Sequence, residues 1–182
     1  MRSKMLCLSI GLAFVAASRS AAEEAPTRDE QKLAATAADL DKDSTRADGD
    51  KRVEETLEAR FHVGDARIDG LRSRKLGYGE IAIVLALAQK LPGGINDANV
   101  SKIMAERDGP PVMGWGRIAK KEGVSLGKVM SDVRRADDAV RRDRDERAGK
   151  ERAEAAERPE RAERAERVER QERTERPENP RH

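Results

Sequence analysis

A short motif that occurs twice constrains the fold of this chain more than any other feature. Residues 76–82 read Leu-Gly-Tyr-Gly-Glu-Ile-Ala, and residues 113–119 read Met-Gly-Trp-Gly-Arg-Ile-Ala, 37 residues further on. Upstream of each copy stands an Ile-x-x-x-Arg segment, which ends at Arg72 or at Arg107. A repeat of this length is typical of one supersecondary unit used twice. The sequence therefore predicts two similar corners, each between the end of one helix and the start of the next.

Glycines on both sides of a ring allow positive φ and a close approach of two backbones. The ring is then expected to pack against residues three and four places along the new helix. Two of the three aromatic residues after residue 22 occupy this slot, which favours core anchors over the alternative, an exposed pair that stacks on a ligand. The predicted structural motif consists of Gly77, Tyr78, Gly79, Ile81, Gly114, Trp115, Gly116 and Ile118.

The other apolar residues follow a helical period, and no segment alternates as a strand does. Residues 81–91 are apolar on nearly every side, which predicts a helix at the centre of a bundle. Thr27, Asn96 and Ser125 stand where helix N-caps are expected. The sequence therefore predicts an all-α protein, in which residues 51–140 form a small bundle of two helix-turn-helix-like repeats.

The start of the chain has the pattern of an export signal. Its first 22 residues contain three bases and no acid, and residues 5–17 form an apolar run. Thirteen residues are too few to span a bilayer, which needs about 20, but they suit a signal peptide cut before Ala21 or Glu23. An uncleaved anchor or a buried helix is the alternative. Since Cys7 is the only cysteine, the mature protein is predicted to have neither a thiol nor a disulfide.

Residues 23–50 are predicted to form an acidic helix and a linker. Three aspartates at alternate positions, followed by a fourth, resemble an EF-hand loop, whose oxygens converge on Ca²⁺. Ser44 stands where the sharp turn of that loop has Gly, and the last Asp is shorter than the usual bidentate Glu. The favoured interpretation is a linker with turn-forming Asp residues; the alternative is a weak calcium site, with a Kd of about 10⁻⁴ to 10⁻³ M. Its ligands would be Asp39, Asp41, Asp43 and Asp50.

Residues 141–182 form a charged, low-complexity tail. Within residues 157–177 the triplet Glu-Arg-x occurs seven times, so that each Glu up to Glu172 has an Arg four places ahead, which stabilises a helix. No apolar stripe supports a coiled coil. The pattern predicts a solvated helix in exchange with disorder, which serves as a spacer or, alternatively, as a specific docking tail.

Residues 117–129 resemble the helix-turn-helix pattern of DNA-binding proteins, with Gly123 at the turn. A nucleic-acid binder would use Lys120, Lys121 and Lys128. The second helix, however, begins with none of the Arg, Asn or Gln residues that read base edges. The net charge is +2 for the whole chain and −1 without its first 22 residues, which also argues against a nucleic-acid partner.

Residues 66–135 as a whole resemble uncharacterised bacterial exported proteins, which carry a Gly-Tyr-Gly-Glu-Ile-Ala segment followed by Gly-Trp-Gly-x-Ile-Ala, often with charged or Pro-rich tails. This resemblance implies a fold and a location outside the cytosol, and no activity.

Catalytic chemistry has little support in the sequence. His62 and His182 are the only histidines, too few for a multi-histidine zinc site and without the partners of a catalytic triad. The sequence predicts an exported, non-enzymatic structural or protein-interaction module of the periplasm or the extracellular space. Its partner would be an envelope protein or surface. The chain itself is predicted to have no membrane span after signal cleavage, and no cofactor unless the acidic loop binds calcium. The oligomeric state stays open.

Overall fold

This computed structural model describes residues 26–175 of the chain, with side chains as far as residue 171. Within that range it has seven helices and no strand. The predicted all-α class is confirmed, whereas the helix-turn-helix detail of the repeats stays a prediction. The predicted signal peptide lies outside the described residues. In chain order the helices are α1 Arg28–Ser44, α2 Gly49–Phe61, α3 Asp65–Arg72, α4 Tyr78–Lys90, α5 Asp97–Asp108, α6 Trp115–Lys121 and α7 Leu126–Glu175.

Local signals start two of these helices where the sequence predicts. Thr27 caps α1: its hydroxyl accepts from the backbone N–H of Glu30 at 3.3 Å, and the Glu30 carboxylate accepts from the backbone N–H of Thr27 at 2.8 Å. This reciprocal capping box satisfies two donors that the first turn of a helix leaves open. Asn96 caps α5 by accepting from the backbone N–H of Asn99 at 2.8 Å. Both predicted caps are confirmed.

Helix α4 is the centre of the molecule. Ten of its thirteen residues are buried, on all sides of the helix, as predicted for residues 81–91. Helices α1, α2, α5 and α7 pack around it, since a helix that is apolar all round has to be enclosed. The chain then turns through Gly93 and Gly94, whose positive φ angles of 84° and 68° suit glycine.

Helix α1 belongs to the same core. Leu33, Ala37 and Leu40 lie on one face of it and are buried with the residues of α4 and α7. The compact unit therefore begins at α1, and the predicted boundary at residue 51 is wrong. Charged residues dominate the composition of residues 23–50, but three apolar residues at helical spacing are enough to dock one helix face.

Helix α7 is part of the core at one end and exposed at the other. Val129, Val133, Ala136 and Val140 are fully buried, whereas every side chain described from residue 149 to residue 171 is exposed. The charged stretch that follows residue 141 still touches the body, because arginines on it pair with acids of α1 and α2. The exposed part therefore begins near residue 149 and not at 141. Residues 149–175 are called the arm below.

A buried carboxylate ties the ends of three helices together. Asp132 of α7 is 4% exposed and pairs with Lys90 at the end of α4 at 2.7 Å, with Arg60 at the end of α2 at 3.0 Å and with Arg135 at 3.2 Å. A buried carboxylate needs such partners, because an unpaired charge away from water costs several kcal/mol. The arrangement sets the position of α7 against α2 and α4.

The corner between α2 and α3 brings acidic side chains together. A hydrogen bond with Asp65, partial burial and the nearby negative charges of Asp65, Glu54 and Glu55 raise the pKa of Glu58 to about 7 from its ordinary 4.5. The folded chain thus holds this proton more tightly than the unfolded chain does. The stability that the pair contributes is full below about pH 4.5, and it is lost as the pH rises through 7.

Replacing Glu58 by Gln is therefore expected to weaken the fall in stability between pH 4.5 and pH 7, because the amide keeps a donor without titrating. Urea unfolding at several pH values measures this. The matched control is Glu154→Gln on the exposed arm, which should keep the pH dependence of the natural chain. An unchanged pH dependence in Glu58→Gln would contradict the raised pKa of Glu58.

Candidate functional site

The repeated motif forms two corners, the first at residues 72–82 and the second at residues 107–119. In each corner the new helix begins at the aromatic residue, and the preceding glycine is its N-cap. Gly77 and Gly114 have φ angles of −70° and −67°, so these two positions do not use the positive φ that glycine allows. The physical reason is that an N-cap residue adopts an extended conformation, which is open to any residue.

The second glycine of each copy is required by close packing, as predicted. A Cβ on Gly79 would lie 2.2 Å from the carbonyl oxygen of Ala37, and a Cβ on Gly116 would lie 2.3 Å from the Glu30 carboxylate. Both distances are far inside van der Waals contact. In each corner, helix α1 therefore touches the backbone of the repeated motif directly.

A carboxylate of α1 binds the first turn of each repeated helix. Asp41 Oδ1 accepts from the backbone N–H of Gly79 at 3.0 Å, and Glu30 Oε1 accepts from the backbone N–H of Gly116 at 3.0 Å. The first N–H groups of a helix lack partners within the helix, and its N-terminus favours negative charge. Hydrogen bonds with the backbone of Thr27 and with Gly116 lower the pKa of Glu30, against the effect of partial burial.

The spacing of the two acids matches the geometry of α1. Glu30 and Asp41 are eleven residues apart, about three helical turns or 16 Å, and so lie on one face. One helix thus reaches both corners of the repeat. This pairing is not among the predictions from the sequence, although an acid at each end of one face of α1 is a signal that could have suggested it.

An arginine stacks on the ring in each corner. The guanidinium carbon of Arg72 lies 4.5 Å from the centre of the Tyr78 ring, and that of Arg107 lies 4.9 Å from the Trp115 ring. Arg72 also donates to the carbonyl oxygen of Leu76 at 2.6 Å, and Arg107 donates to that of Met113 at 3.4 Å. The two arginines that the repeat includes thus have the same role, a cation–π contact that closes the loop before the ring.

The two corners differ in how well they are covered. Tyr78 is 5% exposed, and burial together with the Glu54 carboxylate of α2 raises the pKa of its hydroxyl. Trp115 is only half-buried. Tyr78 therefore fits the predicted core anchor, whereas Trp115 packs at the edge of the core. Ile81 and Ile118, the apolar residues that follow the rings, are both fully buried.

The four predicted calcium ligands do not converge. Helix α1 continues through residue 44, where the sequence indicated a loop, and successive residues of a helix point about 100° apart. Within residues 26–175, no group of three side chains is placed to hold a metal ion. Each predicted ligand has another partner. Asp39 pairs with Arg141 at 3.0 Å, and Asp41 accepts from the backbone N–H of Gly79. Asp43 pairs with Arg46 at 2.8 Å and with Arg144 at 3.4 Å, and Asp50 accepts from the backbone N–H of Lys51 at 2.8 Å. The calcium-loop interpretation is therefore corrected: Asp39, Asp41 and Asp43 each bind a residue of another helix, and Asp50 stays within α2.

The segment that resembles a helix-turn-helix spans α6, a turn and the start of α7. Gly123 has a φ angle of 68° and makes the turn. Of the candidate nucleic-acid contacts, Lys120 and Lys128 are exposed, whereas Lys121 pairs with the buried carboxylate of Glu106 at 2.8 Å. That pairing neutralises part of the positive charge that a phosphate would need.

Comparisons with known protein families, with curated protein sequences and with solved structures find no significant match to this chain. Among the helices described between residues 26 and 175, none combines the length and the apolar character needed to cross a membrane.

Substituting Ala for the buried glycine of the first corner tests the close contact with α1. Gly79→Ala is expected to lower the free energy of unfolding by about 3 kcal/mol, the upper end for overpacking, because a backbone carbonyl cannot swing aside. Gly116→Ala should lower it less, since the Glu30 carboxylate sits on a flexible side chain. Urea denaturation measures both losses.

The matched control is Gly70→Ala within α3, where nothing lies within 4 Å of the new Cβ. This chain should be more stable than the natural one by about 0.5–1 kcal/mol, because Ala favours a helix interior over Gly. Equal stabilities of the Gly79 and Gly70 variants would show that α1 does not press on the first corner.

Proposed function

We propose that this chain is an exported, non-enzymatic protein of the cell envelope, in which a compact helical domain carries a long charged arm. The single observation that carries the arrangement of domain and arm is the continuity of α7. One helix is both a buried element of the core and the whole of the described arm. The direction of the arm relative to the domain is therefore set by the packing of α7 in the core.

Ion pairs fasten α7 to the body where it leaves the core. Arg141 pairs with Asp39 of α1 at 3.0 Å, and Arg147 pairs with Glu55 of α2 at 3.3 Å. Each exposed pair contributes little alone, about 0–1 kcal/mol. Together with the apolar contacts below them, they define the direction in which the arm starts.

The chemistry of the arm suits a spacer. Its Glu and Arg residues pair one turn apart, with Glu157 to Arg161 at 2.7 Å and Glu163 to Arg167 at 3.7 Å, and such pairs stabilise a solvated helix. At 1.5 Å per residue, its 27 residues extend about 40 Å. We infer that the arm holds the domain at a distance from an envelope partner or surface.

The proposal assigns no catalytic residue, because the buried carboxylates have structural partners. Asp132 is surrounded by basic side chains, Asp137 pairs with Arg141 at 3.0 Å, and Glu106 pairs with Lys121. Burial raises the pKa of Asp137, against the effect of the Arg141 charge. Asp132 and Glu106 thus join different helices, and Asp137 pairs within α7.

The export part of the proposal rests on the apolar run at residues 5–17 and is tested by processing in a bacterium. The natural chain should appear outside the cytosol as a shorter protein that begins near Ala21 or Glu23, as mass spectrometry would show. Ile10→Arg with Phe14→Arg should leave a full-length chain in the cytosol, because charges block insertion of the apolar run. Phe14→Leu is the matched control and should be processed normally. Full-length natural protein in the cytosol would contradict export.

The arm is tested by distance measurements between spin labels at Ala38→Cys and Val168→Cys, in a Cys7→Ser background. A continuous helix should give one narrow distance distribution. Replacing residues 150–152 by glycines should broaden it, because each Gly costs about 1 kcal/mol of helix stability, whereas three alanines at the same positions should keep it narrow. A broad distribution in the natural arm would contradict the spacer.

A further inference from the structure

A cavity of about 300 Å³, called the α3–α5 cavity below, lies between helices α3 and α5. Both helices pack on α4, and an ion pair between Arg67 and Asp97 at 2.8 Å links them. The buried residues that line the cavity, Leu71 and Val100, are apolar. Its volume is at the lower end for small-molecule sites, about 300–1,000 Å³, which likewise combine an apolar lining with a few polar groups.

The α3–α5 cavity is lined by a glycine that packing does not require. Gly70 lies within α3, where Gly destabilises a helix relative to Ala. No atom lies within 4 Å of a Cβ built at this position, in contrast to Gly79 and Gly116 of the repeated motif. The missing side chain leaves room in the cavity. An open cavity is therefore what this glycine provides in exchange for the weaker helix.

The charged residues that line the cavity carry a net positive charge, two arginines against one aspartate. Arg67 is 26% exposed and is held by Asp97, whose side chain is 93% exposed. Arg74 is exposed, and among the side chains described up to residue 171 none pairs with its guanidinium. The planar fork of N–H donors on arginine matches a carboxylate. One guanidinium is thus open to an anion, and the other is shared with a carboxylate that water already surrounds.

We propose that the α3–α5 cavity binds a small aliphatic carboxylate, with its anionic group at Arg74 and Arg67 and its chain on Leu71 and Val100. The cavity has room for about ten water molecules of ~30 Å³ each, and so for a ligand of about ten non-hydrogen atoms. An anion is favoured over a cation by the excess of guanidinium groups. An aliphatic chain is favoured over a polar one because the buried lining offers no polar side chain.

Amide NMR of the purified full-length chain, titrated with octanoate, tests the proposal. The amides of Gly70, Leu71 and Val100 should shift and saturate with a Kd of about 1 mM, because a ligand of this size in an open cavity gains little free energy per atom. Acetate has the charge without the chain, and octylammonium has the chain with the opposite charge. Neither should saturate these shifts over the same range of concentration.

Two charge variants distinguish the site from general apolar attraction. Arg74→Gln should weaken octanoate binding by about three- to fivefold, the range of an exposed ion pair, whereas Arg164→Gln on the arm is the matched control and should leave the Kd unchanged. Asp97→Asn should tighten binding by a similar factor, because it removes a like charge and frees Arg67. A purely structural role of Asp97 would not raise the affinity.

A pair of variants at Gly70 tests the place of binding. Gly70→Leu should abolish the shift of Val100, because the new side chain fills the cavity. Gly70→Ala should weaken binding less, since a single methyl group leaves most of the space. Circular dichroism checks that both variants fold, and if Gly70→Leu does not, the two charge variants decide.

Four results would overturn the proposal: equal binding of octanoate and octylammonium, shifts centred on Val112 and Trp115 instead of α3, an unchanged Kd in Arg74→Gln, or an unchanged Kd in folded Gly70→Leu. Tighter binding in Asp97→Asn together with weaker binding in Arg74→Gln would support it. Because the titration uses purified chain, its outcome is independent of export and of the arm.

Discussion

Two carboxylates on one face of α1 join the two corners formed by the repeated motif. Asp41 and Glu30 each accept from a backbone N–H in the first turn of a repeated helix, at 3.0 Å in both cases. Because these N–H groups have no partner within their own helices, α1 completes both corners at once. The glycines of the motif follow from this contact, since a side chain at Gly79 would collide with the backbone of α1.

The two copies of the motif share their internal contacts and differ in their surroundings. In both, an arginine stacks on the ring and an isoleucine is fully buried. A further ion pair, Arg107 to Glu80 at 3.3 Å, joins the second copy to the first. Only the first ring is enclosed, because α2 follows α1 directly and lies over it. The same unit therefore serves as a core anchor in one place and as an apolar edge in the other.

Helix α7 shows how one helix can change its surroundings without interruption. Its early residues are apolar at helical spacing and buried, the next carry arginines that pair with α1 and α2, and the last are Glu and Arg that pair with each other. All three stretches are helical, although Pro159 in the last one lacks the N–H that a helix interior uses, and the partners of the side chains differ from stretch to stretch. A domain and its spacer can in this way be continuous.

The sequence by itself determined the all-α class, the caps at Thr27 and Asn96, the central helix and the place of the repeat, because these depend on residues within one or two turns of each other. The structure decided which distant group each polar side chain meets. Asp41 has the spacing of a calcium ligand, yet it binds Gly79, 38 residues away, and the acidic segment around it belongs to the core. The spacing of carboxylates along the chain tells which of them lie on the same face of a helix. The packing of α1 against α4 and α7 decides which backbone N–H or guanidinium each of them reaches.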